Sequence, residues 1–130
     1  MNIAYLLKPK DSVVWINKSN TVRQAIEKFH HHTYTAMPVL TDDGKYFGTI
    51  TEGDLLNFII ENPEPLTAEL TSIETIIRKE LNAPIGIGMD MNALYERIIA
   101  QNFVPVMDDR DMFIGIVTRQ SVIKYLKSLV

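Results

Sequence analysis

The chain has 130 residues, 46% hydrophobic and 22% charged, with 13 basic against 16 acidic side chains and a formal charge of −3. This is ordinary globular material, long enough to bury a core, and without a basic run it lacks the electrostatic footprint of a nucleic-acid binder. It contains no cysteine, which removes disulfides, thiolate metal sites and cysteine nucleophiles.

The apolar patch Ile3, Tyr5, Leu6, Leu7, closed by Lys8-Pro9-Lys10, suggests a short helical turn covering an edge of the fold. It is far too short for a signal peptide or a membrane span, so a soluble cytoplasmic protein is expected. Residues 12–17 are β-branched and aromatic and read as a strand. Thr21 with Gln24 three residues on makes a capping box. Val22, Ala25, Ile26 and Phe29 follow at helical spacing and predict an amphipathic helix to about residue 31.

Residues 35–40 and 46–51 read as strands joined by Asp42-Asp43-Gly44, a hairpin turn in which glycine supplies positive φ. Thr51 is placed to cap a helix through Leu55, Leu56, Ile59 and Ile60, which Glu61-Asn62-Pro63-Glu64-Pro65 ends. Residues 72–81 look helical through Ile73, Ile76 and Ile77. The remainder reads as strand 84–87, helix 90–101, strand 103–107, turn 108–111, strand 112–118 and helix 119–129.

The second half repeats the first. Gly48-Thr49-Ile50-Thr51-Glu52-Gly53-Asp54-Leu55-Leu56 returns as Gly115-Ile116-Val117-Thr118-Arg119-Gln120-Ser121-Val122-Ile123, each preceded by a Pro-Val pair at the same distance, Pro38-Val39 and Pro105-Val106. The unit is β-α-β-β-α, twice: residues 1–62, a linker 63–71, and residues 72–130. One unit alone would leave a sheet face poorly covered, so an α/β module of two copies around a pseudo-twofold axis is expected.

These residues resemble a tandem pair of CBS (cystathionine-β-synthase) domains, regulatory modules that bind adenine nucleotides. The resemblance rests on the helix from Val22 to Phe29, the strand ending Met37-Pro38-Val39, the hairpin, and Gly48-x-x-Thr51-x-x-Asp54 before Leu55-Leu56. In the second copy it rests on Val104-Pro105-Val106 and Gly115-Ile116-Val117-Thr118. It covers nearly the whole chain and implies a non-catalytic sensor, a homodimer, and a protein partner that reads the ligand state through a population shift.

Thr51 ends a strand and opens a helix, where free N–H groups and the positive dipole end attract phosphate. Asp54 one turn on has the chemistry to accept both hydroxyls of a ribose, and the resemblance assigns the pair those roles. The competing reading is a plain capping box. In the second copy Thr118 is kept but Ser121 replaces the aspartate, a loss worth ~10- to 100-fold in affinity. One good adenosine site, built mainly by the first copy, is therefore expected.

Arg119, next to Thr118, is expected to reach phosphates with its guanidinium fork, against the reading of a solvated surface arginine. By the resemblance, Tyr34, Thr35, Ala36, Met37 and Pro38 supply the strand that contacts adenine, with Val13 and Val14 as the opposite wall. Ordinary core and edge packing is the alternative for each. His30, His31 and His32 point about 100° apart in a helix and cannot converge on one ion, so no metal site is expected. Gly86-Ile87-Gly88 is a turn.

The leading reading is a sensor of AMP, ADP or ATP. A second is a cyclic di-AMP receptor, since residues 34–40 and Phe113-x-Gly115-Ile116-x-Thr118-Arg119 also look like small bacterial CBS proteins that bind that messenger. Asp54 argues the other way, because a cyclic dinucleotide has no free ribose diol. A dimerisation module without ligand is the third. An enzyme has no P-loop, metal-ligand spacing or nucleophile–base pair in its favour.

Overall fold

Thr21, Thr51, Asp90 and Thr118 each stop an extended segment and start a helix by accepting a hydrogen bond from the backbone N–H three residues on. At Thr21 the box is reciprocal: Thr21 Oγ1 accepts from Gln24 N at 3.2 Å while Gln24 Oε1 accepts from Thr21 N at 2.9 Å. The structure, a computed structural model, describes residues 1–78 and 81–130. These residues form two packing units, and neither is a continuous stretch of chain.

One unit comprises Trp15–Asp43 and Phe47–Leu81. Its sheet has the order β2 (Ile16–Asn17), β3 (Ala36–Leu40), β4 (Tyr46–Thr51), and β2 runs parallel to β3 with Ile16 opposite Val39. Helix α2 (Val22–His31) makes the crossover and packs on α3 (Glu52–Glu61) and α4 (Pro65–Leu70). In α2 the amphipathic spacing works as expected, with Val22, Ala25 and Phe29 buried and Ile26 half-buried, whereas in α3 Leu55 and Phe58 are buried and Leu56, Ile59 and Ile60 are exposed; Met37, Val39, Leu40 and Ile50 are buried in the sheet. Burying each large apolar side chain contributes about 1.5–3 kcal/mol.

Asn62 closes α3, its backbone N–H donating to Phe58 O at 2.8 Å and its side-chain amide to the same oxygen at 3.1 Å. Pro65 sits in the first turn of α4, where its missing N–H costs nothing.

The helix expected over residues 72–81 does not form. The chain instead makes a 3₁₀ turn at Ile73–Thr75. Its backbone is engaged elsewhere: Ser72 bridges Thr21, Ile73 N donates to Asn20 O at 2.9 Å, and Arg78 bridges Thr49. Such pairings are incompatible with one continuous helical ladder. The part of that expectation at residues 79–80 lies outside the described residues.

The other unit comprises Met1–Val14, Gly44–Tyr46 and Asn82–Val130. Its sheet has the order β1 (Lys8–Pro9), β7 (Phe113–Thr118), β6 (Phe103–Met107), β5 (Ile85–Gly86). The expected helical turn at the N-terminus is α1 (Ile3–Leu6), and the chain after it is an edge strand: β1 pairs antiparallel with β7, Lys8 opposite Ile116 and Pro9 opposite Gly115. Proline is tolerated there because an edge needs no second donor. Helices α5 (Met91–Ala100) and α6 (Arg119–Ser128) supply Leu94, Ile98 and Val122 to a core with Ile3, Ile85, Val104, Val106 and Val117.

The strand expected over residues 12–17 shrinks to β2, because Lys10–Ser12 winds a 3₁₀ turn that Val13 N closes on Lys10 O at 3.0 Å. Gly44 takes the positive φ of 86° expected of the hairpin turn; at the corresponding place in the second copy Asp111 takes φ 63°, which a short polar side chain permits. Among the described residues no helix is long and apolar enough to cross a membrane.

Candidate functional site

The start of α3 is built from Thr51 and Asp54. Thr51 Oγ1 accepts from Asp54 N at 3.1 Å, and Asp54 Oδ2 accepts from Thr51 N at 2.9 Å, a complete reciprocal capping box. The second carboxylate oxygen is also engaged. Asp54 Oδ1 lies 3.2 Å from Arg78 Nε, and the aspartate side chain is 10% exposed against 54% for the arginine. The Arg78–Thr49 backbone bridge holds the guanidinium in reach. Each carboxylate oxygen thus already has one partner, and the negative charge is paired with a guanidinium.

Beside it, Glu52 N, in the first turn of α3, donates to Thr35 O at 3.0 Å. This ties the segment before β3 to the helix start and brings Thr35, Thr51 and Asp54 into one neighbourhood. Thr35 and Tyr34 are exposed and Ala36 is half-buried, while Met37 and Pro38 are buried. The side chains of the last two pack inside the unit. Tyr34 stacks on His32 with ring centroids 6.0 Å apart and planes 27° from parallel, and His32 meets His31 edge-on at 5.3 Å. His30 and His31 lie in the last turn of α2 and His32 caps it. Among the described residues no group of three or more potential ligands is placed to hold a metal ion.

In the other unit the start of α6 carries no carboxylate. Ser121 N donates to Thr118 Oγ1 at 3.1 Å, and the Ser121 hydroxyl donates to Thr118 O at 2.9 Å. Arg119 does not stand free in solvent. Its Nε donates to Ile98 O at 3.0 Å and a terminal nitrogen donates to Ile99 O at 3.3 Å, so the guanidinium closes the C-terminal end of α5. Carbonyls at a helix end lack intrahelical donors, and a cation there opposes the negative dipole end. Val13 and Val14, half-buried, belong to this same unit.

Arg78 escaped the sequence reading. It falls in a stretch whose apolar spacing suggested a helix, and no motif marks it; the only signal was a basic residue early in the second copy.

The CBS domain family model matches the chain twice, over residues 6–61 and 69–128. Cyclic di-AMP receptor B of Bacillus subtilis is 30% identical over 123 residues, covering 89% of this chain and 80% of that protein. L-aspartate semialdehyde sulfurtransferase of Methanosarcina acetivorans is 25% identical over 121 residues, but the chain spans only 22% of its length. Among solved structures, CbpB in complex with c-di-AMP superposes with a TM-score of 0.89 at 24% identity, covering 99% of this chain and 86% of that one. With the family matched twice, both expected repeats found and the β-α-β-β-α order present in each, the chain belongs to the CBS domain family as a tandem, regulatory and non-catalytic pair.

Proposed function

We propose that this protein is a cyclic di-AMP receptor that signals to a protein partner. The observation that carries the reading is the 30% identity to cyclic di-AMP receptor B, which runs over 80% of that protein and nearly all of this one. The geometry supports it. A linear adenine nucleotide offers a free ribose diol, whose natural acceptor here would be Asp54, yet Asp54 is tied to Thr51 and Arg78. Ser121 offers no carboxylate in the second copy. A cyclic dinucleotide needs neither, because its 3′ oxygens are esterified. The site residues proposed are, in one unit, Tyr34, Thr35 and Ala36 toward adenine with Thr51 at its helix start, and, in the other, Thr118 at its helix start, Arg119 toward phosphate, and Val13 and Val14 as wall.

A homodimer in the cytoplasm is the assembly we propose. An exposed apolar groove between α2 and α3, lined by Ile26, Phe29, Leu55, Leu56 and Ile59, supports it. Sedimentation of the wild type and Leu56→Lys checks this: a dimer that the substitution dissociates supports the assembly, and a monomeric wild type removes it.

Calorimetric titration with cyclic di-AMP, AMP, ADP and ATP tests the ligand. Cyclic di-AMP should bind with preference, and at about 100 Kd should stabilise the fold by ~2.7 kcal/mol. Preference for a linear nucleotide would restore the general adenine-nucleotide sensor. Binding of none would leave an interaction module.

A further inference from the structure

The Asp54–Arg78 pair belongs to no part of the repeat: the second copy has neither the carboxylate nor a guanidinium bound to its helix start. Its parts are specific. Asp54 is nearly shielded, Arg78 remains half exposed, and a backbone bridge to Thr49, itself in β4 two residues before Thr51, sets the arginine over the helix start. An unpaired carboxylate at this place would do two things. It would offer two acceptor oxygens to a cis-diol, and it would repel the phosphate charge of any nucleotide brought to the N-terminal end of α3.

We propose that Arg78 is the residue that sets ligand selectivity, an inference that rests on the cyclic di-AMP reading. By holding Oδ1 of Asp54 it competes for the acceptor that a free ribose diol requires. By neutralising the carboxylate it lets the helix start accept a phosphodiester anion. The selectivity is thus a property of a pair, and removing the arginine converts the site toward a linear nucleotide. Discrimination of this kind comes from making the wrong ligand leave a group unpaired as much as from rewarding the right one.

The test is a cycle of Arg78→Ala, Asp54→Asn and the double variant, each titrated with cyclic di-AMP and with AMP. Arg78→Gln serves as a second probe, and thermal melts establish that each variant is folded. Arg78→Ala should lower the ratio of cyclic di-AMP to AMP affinity by about tenfold or more, the size expected for one charged hydrogen-bond partner. Adding Asp54→Asn should restore the ratio, because the freed carboxylate is then gone. A ratio within about twofold of wild type in both Arg78 variants overturns the proposal. So does a fall that survives in the double variant, since Arg78 would then act on the ligand and not through Asp54. A wild type that binds no cyclic di-AMP sinks the underlying reading and this inference with it.

Discussion

Arg119 donates from Nε to the carbonyl oxygen of Ile98 at 3.0 Å, which makes the first residue of α6 a terminator of α5. The side chain therefore has a structural task before any ligand arrives. Arg119→Ala should lower stability by about 1.5–3 kcal/mol, the range for hydrogen bonds to a charged group, as read from urea denaturation without nucleotide. Arg119→Lys should recover only part of this, because an ammonium lacks the planar fork that reaches both carbonyls. An unchanged midpoint for Arg119→Ala would show the contact to be idle.

The two threonine caps provide a matched comparison. Thr51→Ala and Thr118→Ala each remove the acceptor for an N–H in the first helical turn. Each should cost about 1 kcal/mol, a fall in Tm of about 3–5 °C at this size. Thr51→Ser and Thr118→Ser should sit close to wild type. A melting point for Thr51→Ala equal to wild type would contradict the capping role.

Gly115 takes φ 152°, and a Cβ placed there would lie 2.2 Å from Lys8 O and 3.0 Å from Leu7 Cδ1. Gly115→Ala cannot be absorbed by a rotamer change, because the obstacle is backbone. The expected cost is at least about 2 kcal/mol from strain and overlap combined. Faster amide exchange at Ile116, localised to the β1–β7 pair, would accompany it. A variant as stable as wild type, with β1 still protected, would refute the close approach.

Lys28 is half-buried, with Nζ bonded to Trp15 O and 5.9 Å from the Trp15 ring centroid. Desolvation by burial holds its pKa below the ordinary 10.5. Between the lowered folded value and 10.5 the unfolded chain binds more protons than the folded one, so this residue's contribution to stability rises with pH in that window. The difference in stability between wild type and Lys28→Met should be flat near neutrality and grow in favour of wild type toward pH 10.5. A difference that shrinks over that range would mean that the ammonium form is favoured in the fold.

Much of the architecture was legible because its signals are local and occur twice. The Thr21–Gln24 box, the Pro-Val to Gly to Thr spacing and the Asp-Asp-Gly turn each act within a few residues and need no distant partner. What escaped depends on remote backbone. The spacing of Ile73, Ile76 and Ile77 suits a helix, but bridges to Thr21 and Thr49 claim the same segment for extended pairing. Lys8-Pro9 carries no strand signal of its own, and its partner Gly115 is far along the chain. At the candidate site, Thr51 and Asp54 stood out as a motif, whereas Arg78 acquires its role only through the bridge that delivers it. Arg119 was singled out for phosphate on its place beside Thr118; the helix-end carbonyls it satisfies belong to another element.

The pairing of β1 with β7 also sets a timetable for synthesis. Lys8 is made 108 residues before its partner Ile116. Strand β1 must wait, unpaired, until β7 has left the ribosome, and contacts of such long sequence separation slow folding. The same arrangement bears on dissection of the gene. A fragment beginning at residue 72 would carry β7 with a bare edge, an invitation to strand-to-strand aggregation, whereas restoring residues 1–14 as a separate peptide would supply the missing partner.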